Sequence, residues 1–159
     1  MNVADILKAE QVCFEPKASS KKHALEVLSE ILARAANGPR AGVILESLMS
    51  RERLGSTGLG DSVAMPHARI QGIEHSVGAF LRLGKGVEFD SPDNKPVTLL
   101  FGLLMPMNCS DYEIGQLREL IEHLRDPILQ EQLRQSDSPS ELYALLTDSL
   151  TAVYRRLNV

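Results

Sequence analysis

One stretch of the chain concentrates residue types that can do chemistry. It runs Arg51-Glu52-Arg53-Leu54-Gly55-Ser56-Thr57-Gly58-Leu59-Gly60-Asp61-Ser62-Val63-Ala64-Met65-Pro66-His67-Ala68-Arg69. It reads as a glycine-rich loop over 55–60, a short strand and a Pro-His step. Pro66 fixes its own φ and holds Met65 extended. The imidazole of His67 is therefore presented on a restrained backbone at a strand end, where α/β folds usually place their sites. An imidazole so placed is a competent nucleophile at neutral pH without a separate base. Other uses of such a stretch fail on spacing. Gly55, Gly58 and Gly60 give G-x-x-G-x-G, not the dinucleotide fingerprint, and no Lys-Ser or Lys-Thr follows for a phosphate-binding P-loop. Ser62 lacks the final glycine of a nucleophile elbow. His67 and His75 match no zinc-ligand spacing.

The elements that must position this stretch are legible on both sides of it. A short helix is expected over 2–8 and a strand over 11–14. Ser19-Ser20 offers an N-cap for a helix over 21–36, whose Ala24, Leu28, Ile31, Leu32 and Ala35 fall on one face, and Gly38-Pro39 stops it. A second helix is expected over 40–53 through Ile44, Leu45, Leu48 and Met49, ending at the glycine loop. Three apolar segments, 63–65, 77–83 and 97–104, have the lengths and turn-rich borders of strands. The last is almost continuously apolar, which suggests a strand covered on both faces. The final third is helical. Ile114, Leu117, Leu120, Ile121 and Leu124 form one stripe, and Ser110-Asp111-Tyr112-Glu113 is a capping box at its start. Pro127 opens a short helix to Gln135. A last helix, capped by Ser138 or Ser140, carries Leu142, Leu146, Leu150, Val153 and Tyr154. Helices before and after a group of strands predict a layered α/β sandwich with a mixed sheet.

Composition bounds the rest. The 159 residues suggest one domain over 1–159, with no internal repeat. The core must be aliphatic, because there is no Trp and only 4% of residues are aromatic. A net charge of -4 gives no cationic footprint for nucleic acid or a membrane surface. The longest apolar runs are too short to span a bilayer, and Asp5, Lys8 and Glu10 break any secretory signal near the start. Cys13 and Cys109, far apart, read as reduced thiols, which points to the cytoplasm.

Taken together, the residues resemble the type-2 enzyme IIA domains of the bacterial phosphotransferase system, the mannitol/fructose group, and within it the nitrogen-related enzyme IIA branch. The motifs that carry the resemblance are Arg51-Glu52, Gly55-Ser56-Thr57-Gly58 and Ala64-Met65-Pro66-His67. Val87-Glu88-Phe89-Asp90, Pro96-Val97-Thr98-Leu99-Leu100-Phe101 and Glu141-Leu142-Tyr143 follow. The resemblance covers nearly the whole chain, and its specific part is the segment ending at Pro66-His67.

The resemblance implies a three-layer α/β/α sandwich with a mixed central sheet. It implies phosphorylation on His67 by the phosphohistidine of an HPr-like phosphocarrier, with no cofactor and no metal, and regulation of target proteins by the phosphorylation state. Arg51 would neutralise phosphate charge, and Ser56 or Thr57 would either contact phosphate or only satisfy the turn. The family often has a second histidine where this chain has Glu113. That carboxylate either caps its helix or holds the His67 tautomer. His23, His75 and His123 sit in no motif and read as surface or structural. Two alternatives remain open: a binding-only regulatory domain, and a sugar-specific IIA subunit feeding a permease.

Overall fold

The computed structural model describes residues 2–147, and its organising strand is the long apolar run after Pro96. This run forms β6 (Val97–Pro106), buried along its length except at Thr98. On one side it pairs antiparallel with β5 (Val77–Val87), which pairs parallel with β1 (Val12–Glu15). On the other side lie β3 (Val63–Ala64) and β4 (His67–Ile70), both parallel to β6, with β2 (Gly58–Gly60) antiparallel to β3. The result is an open, mixed six-stranded sheet in the order β1-β5-β6-β3-β2, with β4 also on β6.

Both faces of the sheet are covered. Helices α1 (Lys21–Ala36) and α2 (Ala41–Leu54) bury Leu28, Leu32, Ile44 and Leu48 against Leu81, Leu100 and Leu104. On the opposite face, α3 (Asp111–Leu124), α4 (Pro127–Arg134) and α5 (Pro139–Thr147) bury Leu120, Leu124, Leu129 and Leu142 against Phe80, Phe101 and Leu103. From Leu99 to Met105, successive β6 residues alternate between the two cores, so a strand covered twice must be apolar there. The expected α/β/α sandwich with a mixed sheet is the observed one.

Local chemistry sets the helix ends. Ser20 Oγ accepts the His23 N–H at 3.1 Å to start α1, and Asn37, at φ 53°, ends it in the left-handed region before Gly38-Pro39. Ser138 Oγ accepts the Glu141 N–H at 3.4 Å at the start of α5. Leu150, Val153 and Tyr154 of the expected last stripe lie outside the described residues.

Three expectations need correction. Residues 2–8 do not form one helix; Val3–Asp5 is a short 3-10 turn, and a second one, Ala9–Gln11, follows the stretch. The segment 55–60 is not all loop, because Gly58–Gly60 is a strand. Asp61 and Ser62 both have positive φ, 55° and 65°, the backbone of a tight two-residue hairpin turn, and this folds β2 back on β3. Finally, His67 stands at a strand end as expected, but as the first residue of a further strand, β4, which was not expected.

Candidate functional site

His67 owes its position to an interrupted strand. β3 and β4 run along the same edge of β6 in one register, Ala64 opposite Leu100 and His67 opposite Leu103. Met65 and Pro66 bridge them. Pro66 has no N–H to offer a ladder, but its carbonyl accepts the Leu103 N–H at 2.9 Å and keeps the edge in step. Odd-numbered residues here face the α3–α5 layer. Val63 is 2% exposed and Met65 1%, His67 is half-buried and Arg69 is exposed. The covering layer thus ends at His67, where a cleft begins.

The ring has a defined tautomer. His67 Nδ1 lies 2.9 Å from the Met65 carbonyl. A carbonyl can only accept, so Nδ1 carries the proton and Nε2 keeps its lone pair. Burial pushes the imidazole pKa below its ordinary value; the Met65 hydrogen bond opposes this, the Arg51 charge reinforces it, and Glu52 opposes it weakly. The ring is therefore neutral at pH 7, with Nε2 available for bond formation.

The cleft, of about 730 Å³, opens between the last turns of α2, β4 and the first turns of α3. Arg51, His67, Arg69, Met105, Cys109 and Leu117 are among its lining residues. Arg51 Nη1 donates to the Gly55 carbonyl at 2.9 Å, which ties the helix end to the glycine loop beside the histidine.

The two loop hydroxyls have other partners. Ser56 Oγ donates to the Phe89 carbonyl at 2.7 Å and accepts the Gly58 N–H at 3.1 Å. Thr57 is buried, and its hydroxyl donates to the Glu52 carboxylate, which also accepts the Thr57 N–H at 3.2 Å. Neither hydroxyl lines the cleft. Glu52, the residue that sequence reasoning left without a role, forms an ion pair with Lys21 at 2.9 Å, and the Lys21 ammonium sits 4.4 Å over the Phe89 ring. Its place beside Arg51 in the motif was the available signal; its tie to Lys21 on α1 has no periodicity that would reveal it.

Glu113 is engaged at the head of α3. Its carboxylate accepts the Ser110 N–H and hydroxyl, while Ser110 Oγ accepts the Glu113 N–H at 3.4 Å, so both halves of the capping box are present. The Ser110 hydrogen bonds hold the carboxyl below its ordinary pKa. Ile114 and Leu117 of the same helix line the cleft; Glu113 does not. His23 and His123 are half-buried and His75 is exposed; none lines the cleft. Cys13 and Cys109 are unpaired. Among the described residues, no cluster of three or more His, Cys, Asp or Glu is placed to hold a metal ion, and no helix is long and apolar enough to cross a membrane.

The α/β/α sandwich that carries this cleft has known counterparts. Residues 5–149 match the family model described as phosphoenolpyruvate-dependent sugar phosphotransferase system, EIIA 2, and the chain belongs to that family. Within the family it is similar to nitrogen regulatory proteins. That of Escherichia coli strain K12 is 34% identical over 150 residues, covering 94% of this chain and 91% of the relative. The crystal structure of nitrogen regulatory protein IIA-Ntr from Neisseria meningitidis superposes with a TM-score of 0.84 at 36% identity, covering 91% of this chain and 99% of that one. IIA mannitol from Escherichia coli superposes at 0.72 with 25% identity, covering 88% and 98%.

Proposed function

We propose that this protein is a phosphoryl carrier of the nitrogen-related phosphotransferase branch, accepting a phosphoryl group on His67 Nε2 from the phosphohistidine of an HPr-like carrier. One observation carries the reading: Nδ1 is committed to the Met65 carbonyl, which leaves the Nε2 lone pair as the nucleophile of a neutral ring whose cleft also holds Arg51. As the Nε2–P bond forms, the N–P bond of the donor breaks and the donor imidazole leaves with its electron pair. Donor and acceptor are both imidazoles, so the transfer is near balance and reversible. Alignment and charge neutralisation supply the catalysis, and the Arg51 guanidinium is the cation for the transferring group. Ser56, Thr57 and Glu52 act one step back, by fixing the loop to which Arg51 is bonded.

The phosphorylated protein differs from the free one by about two negative charges at the cleft, and we take that difference as the signal read by regulatory target proteins. The nitrogen regulatory relatives, at 32–36% identity against 26% for a fructose-specific EIIA component, favour regulation over sugar delivery. We take residues 1–159 as one enzyme IIA domain working in the cytoplasm, where thiols such as Cys13 and Cys109 stay reduced. Incubation with the phosphorylated carrier tests the reading. The wild type acquires one acid-labile, base-stable phosphate and His67→Ala acquires none. Equal labelling of His67→Ala would overturn it.

A further inference from the structure

The phosphoryl group that His67 would receive carries close to two charges, and among the described residues the contacts of the cleft leave one cation uncommitted. Arg51 already spends a guanidinium nitrogen on the Gly55 carbonyl. The nearby Glu52 charge is matched by Lys21, and Glu46, which lines the cleft, leans on Arg53 at 3.4 Å. Arg69 lines the same cleft, is exposed, and has no hydrogen bond or ion pair among the described residues. It stands two positions from His67 on β4, so strand alternation puts both side chains on one face, with Cα atoms about 7 Å apart. Ala68 and Ile70, the alternate positions, are buried in the core beneath α1 and α2. This pairing belongs to the backbone of an edge strand held in register by β6, so it survives side-chain motion.

We propose that Arg69 is the second phosphate-binding cation of this site: its guanidinium closes on the phosphoryl oxygens once the group is on Nε2, and it stabilises the phosphorylated state. The proposal rests on phosphorylation of His67. It assigns Arg51 and Arg69 different duties. Arg51, fixed by its bond to the loop, is in place before the donor arrives. Arg69, free and long, engages the product.

The experiment compares wild type, Arg69→Gln and Arg69→Lys with the purified phosphorylated carrier. Two quantities are read: the equilibrium between phosphorylated and free forms, and the 31P titration of the isolated phosphoprotein. A charge-assisted contact at an exposed position stabilises the product by about tenfold in that equilibrium. Arg69→Gln therefore shifts it about tenfold toward the free form and raises the second ionisation of the phosphoryl group, since a neighbouring cation favours the dianion. Arg69→Lys recovers part of both, and the difference shrinks at high salt. A residue that only docks the carrier would slow the forward and reverse rates together and leave both quantities unchanged. That result, with wild type fully phosphorylated, overturns the role of Arg69 alone. A wild type that takes up no phosphate on His67 overturns the reading of the site, and this proposal with it.

Discussion

Removing the Glu52 carboxylate should destabilise the protein and slow its phosphorylation at once. The side chain is only 6% exposed, holds Lys21 at 2.9 Å, and accepts both the N–H and the hydroxyl of Thr57. Breaking a buried ion pair from one side costs about 3–5 kcal/mol, and a buried N–H left without an acceptor costs about 1–3 kcal/mol. Two features reduce the sum. The Lys21 side chain is 23% exposed and can turn its ammonium to water, and the loop can relax around Thr57. Glu52→Ala should therefore lose about 3 kcal/mol, close to the lower bound for a buried pair. For a chain of this length that lowers the melting temperature by roughly 6–12 °C. Glu52→Gln, which keeps an acceptor for Thr57, should lose about half as much. Urea unfolding of Glu52→Gln, Lys21→Met and the double variant gives the coupling between the two charges, expected at about 1 kcal/mol or more. Phosphorylation by the carrier should slow in parallel, because the loop that accepts the Arg51 hydrogen bond loses its anchor. A loss below about 0.5 kcal/mol for Glu52→Ala, the range of ordinary surface substitutions, would refute the reasoning and make this a solvated pair.

Arg51→Ala should melt cooperatively yet accept phosphate about 10²-fold more slowly, the equivalent of about 3 kcal/mol of charge-assisted contact; stopped transfer reactions check it, and normal kinetics would reduce Arg51 to a helix-end cation. Glu113→Gln should leave the phosphorylation equilibrium and melting temperature nearly unchanged, because Gln also closes a capping box, while Glu113→Ala should melt a few degrees lower. A marked rise in phosphorylation with Gln would put the carboxylate in the site. His67 titrates below its ordinary pKa, so the unfolded chain takes up a proton near pH 6.5 that the folded chain refuses. Stability from this source is full above about pH 6.5 and falls as pH drops toward the folded pKa; denaturant titrations should show a shallower fall for His67→Gln.

Much of the fold was legible because two kinds of pattern were strong. The leucine stripes of α1 and α3 have helical periodicity, and Ser20, Ser110 and Ser138 mark where the helices begin. The apolar run of β6 announced a doubly covered strand. The strands around His67 were harder to see. Gly58-Leu59-Gly60 has no strand propensity of its own; its pairing comes from the turn at Asp61-Ser62, which is not one of the common hairpin dipeptides. His67-Ala68-Arg69-Ile70 does alternate, but four residues are too short to separate from chance, and the preceding proline suggested an ending. The placement of His67 beside Arg51 was visible only through the resemblance. The ties from Glu52 to Lys21 and from Ser56 to Phe89 join distant stretches and leave no local trace.

His67, the proposed nucleophile, rides on β4, which is locked to the central strand of the sheet, and not on a hinge or a loop. On the proposed reading, a switch built this way has no hinge at the histidine through which to broadcast its state. If targets distinguish the two forms, they must inspect the cleft itself, the same surface the donor has to reach. Target and donor then exclude one another, and a bound target shields the histidine for as long as it stays. The response time of such a device is set by how quickly its listeners let go, and an abundant target becomes a buffer that delays the very signal it receives.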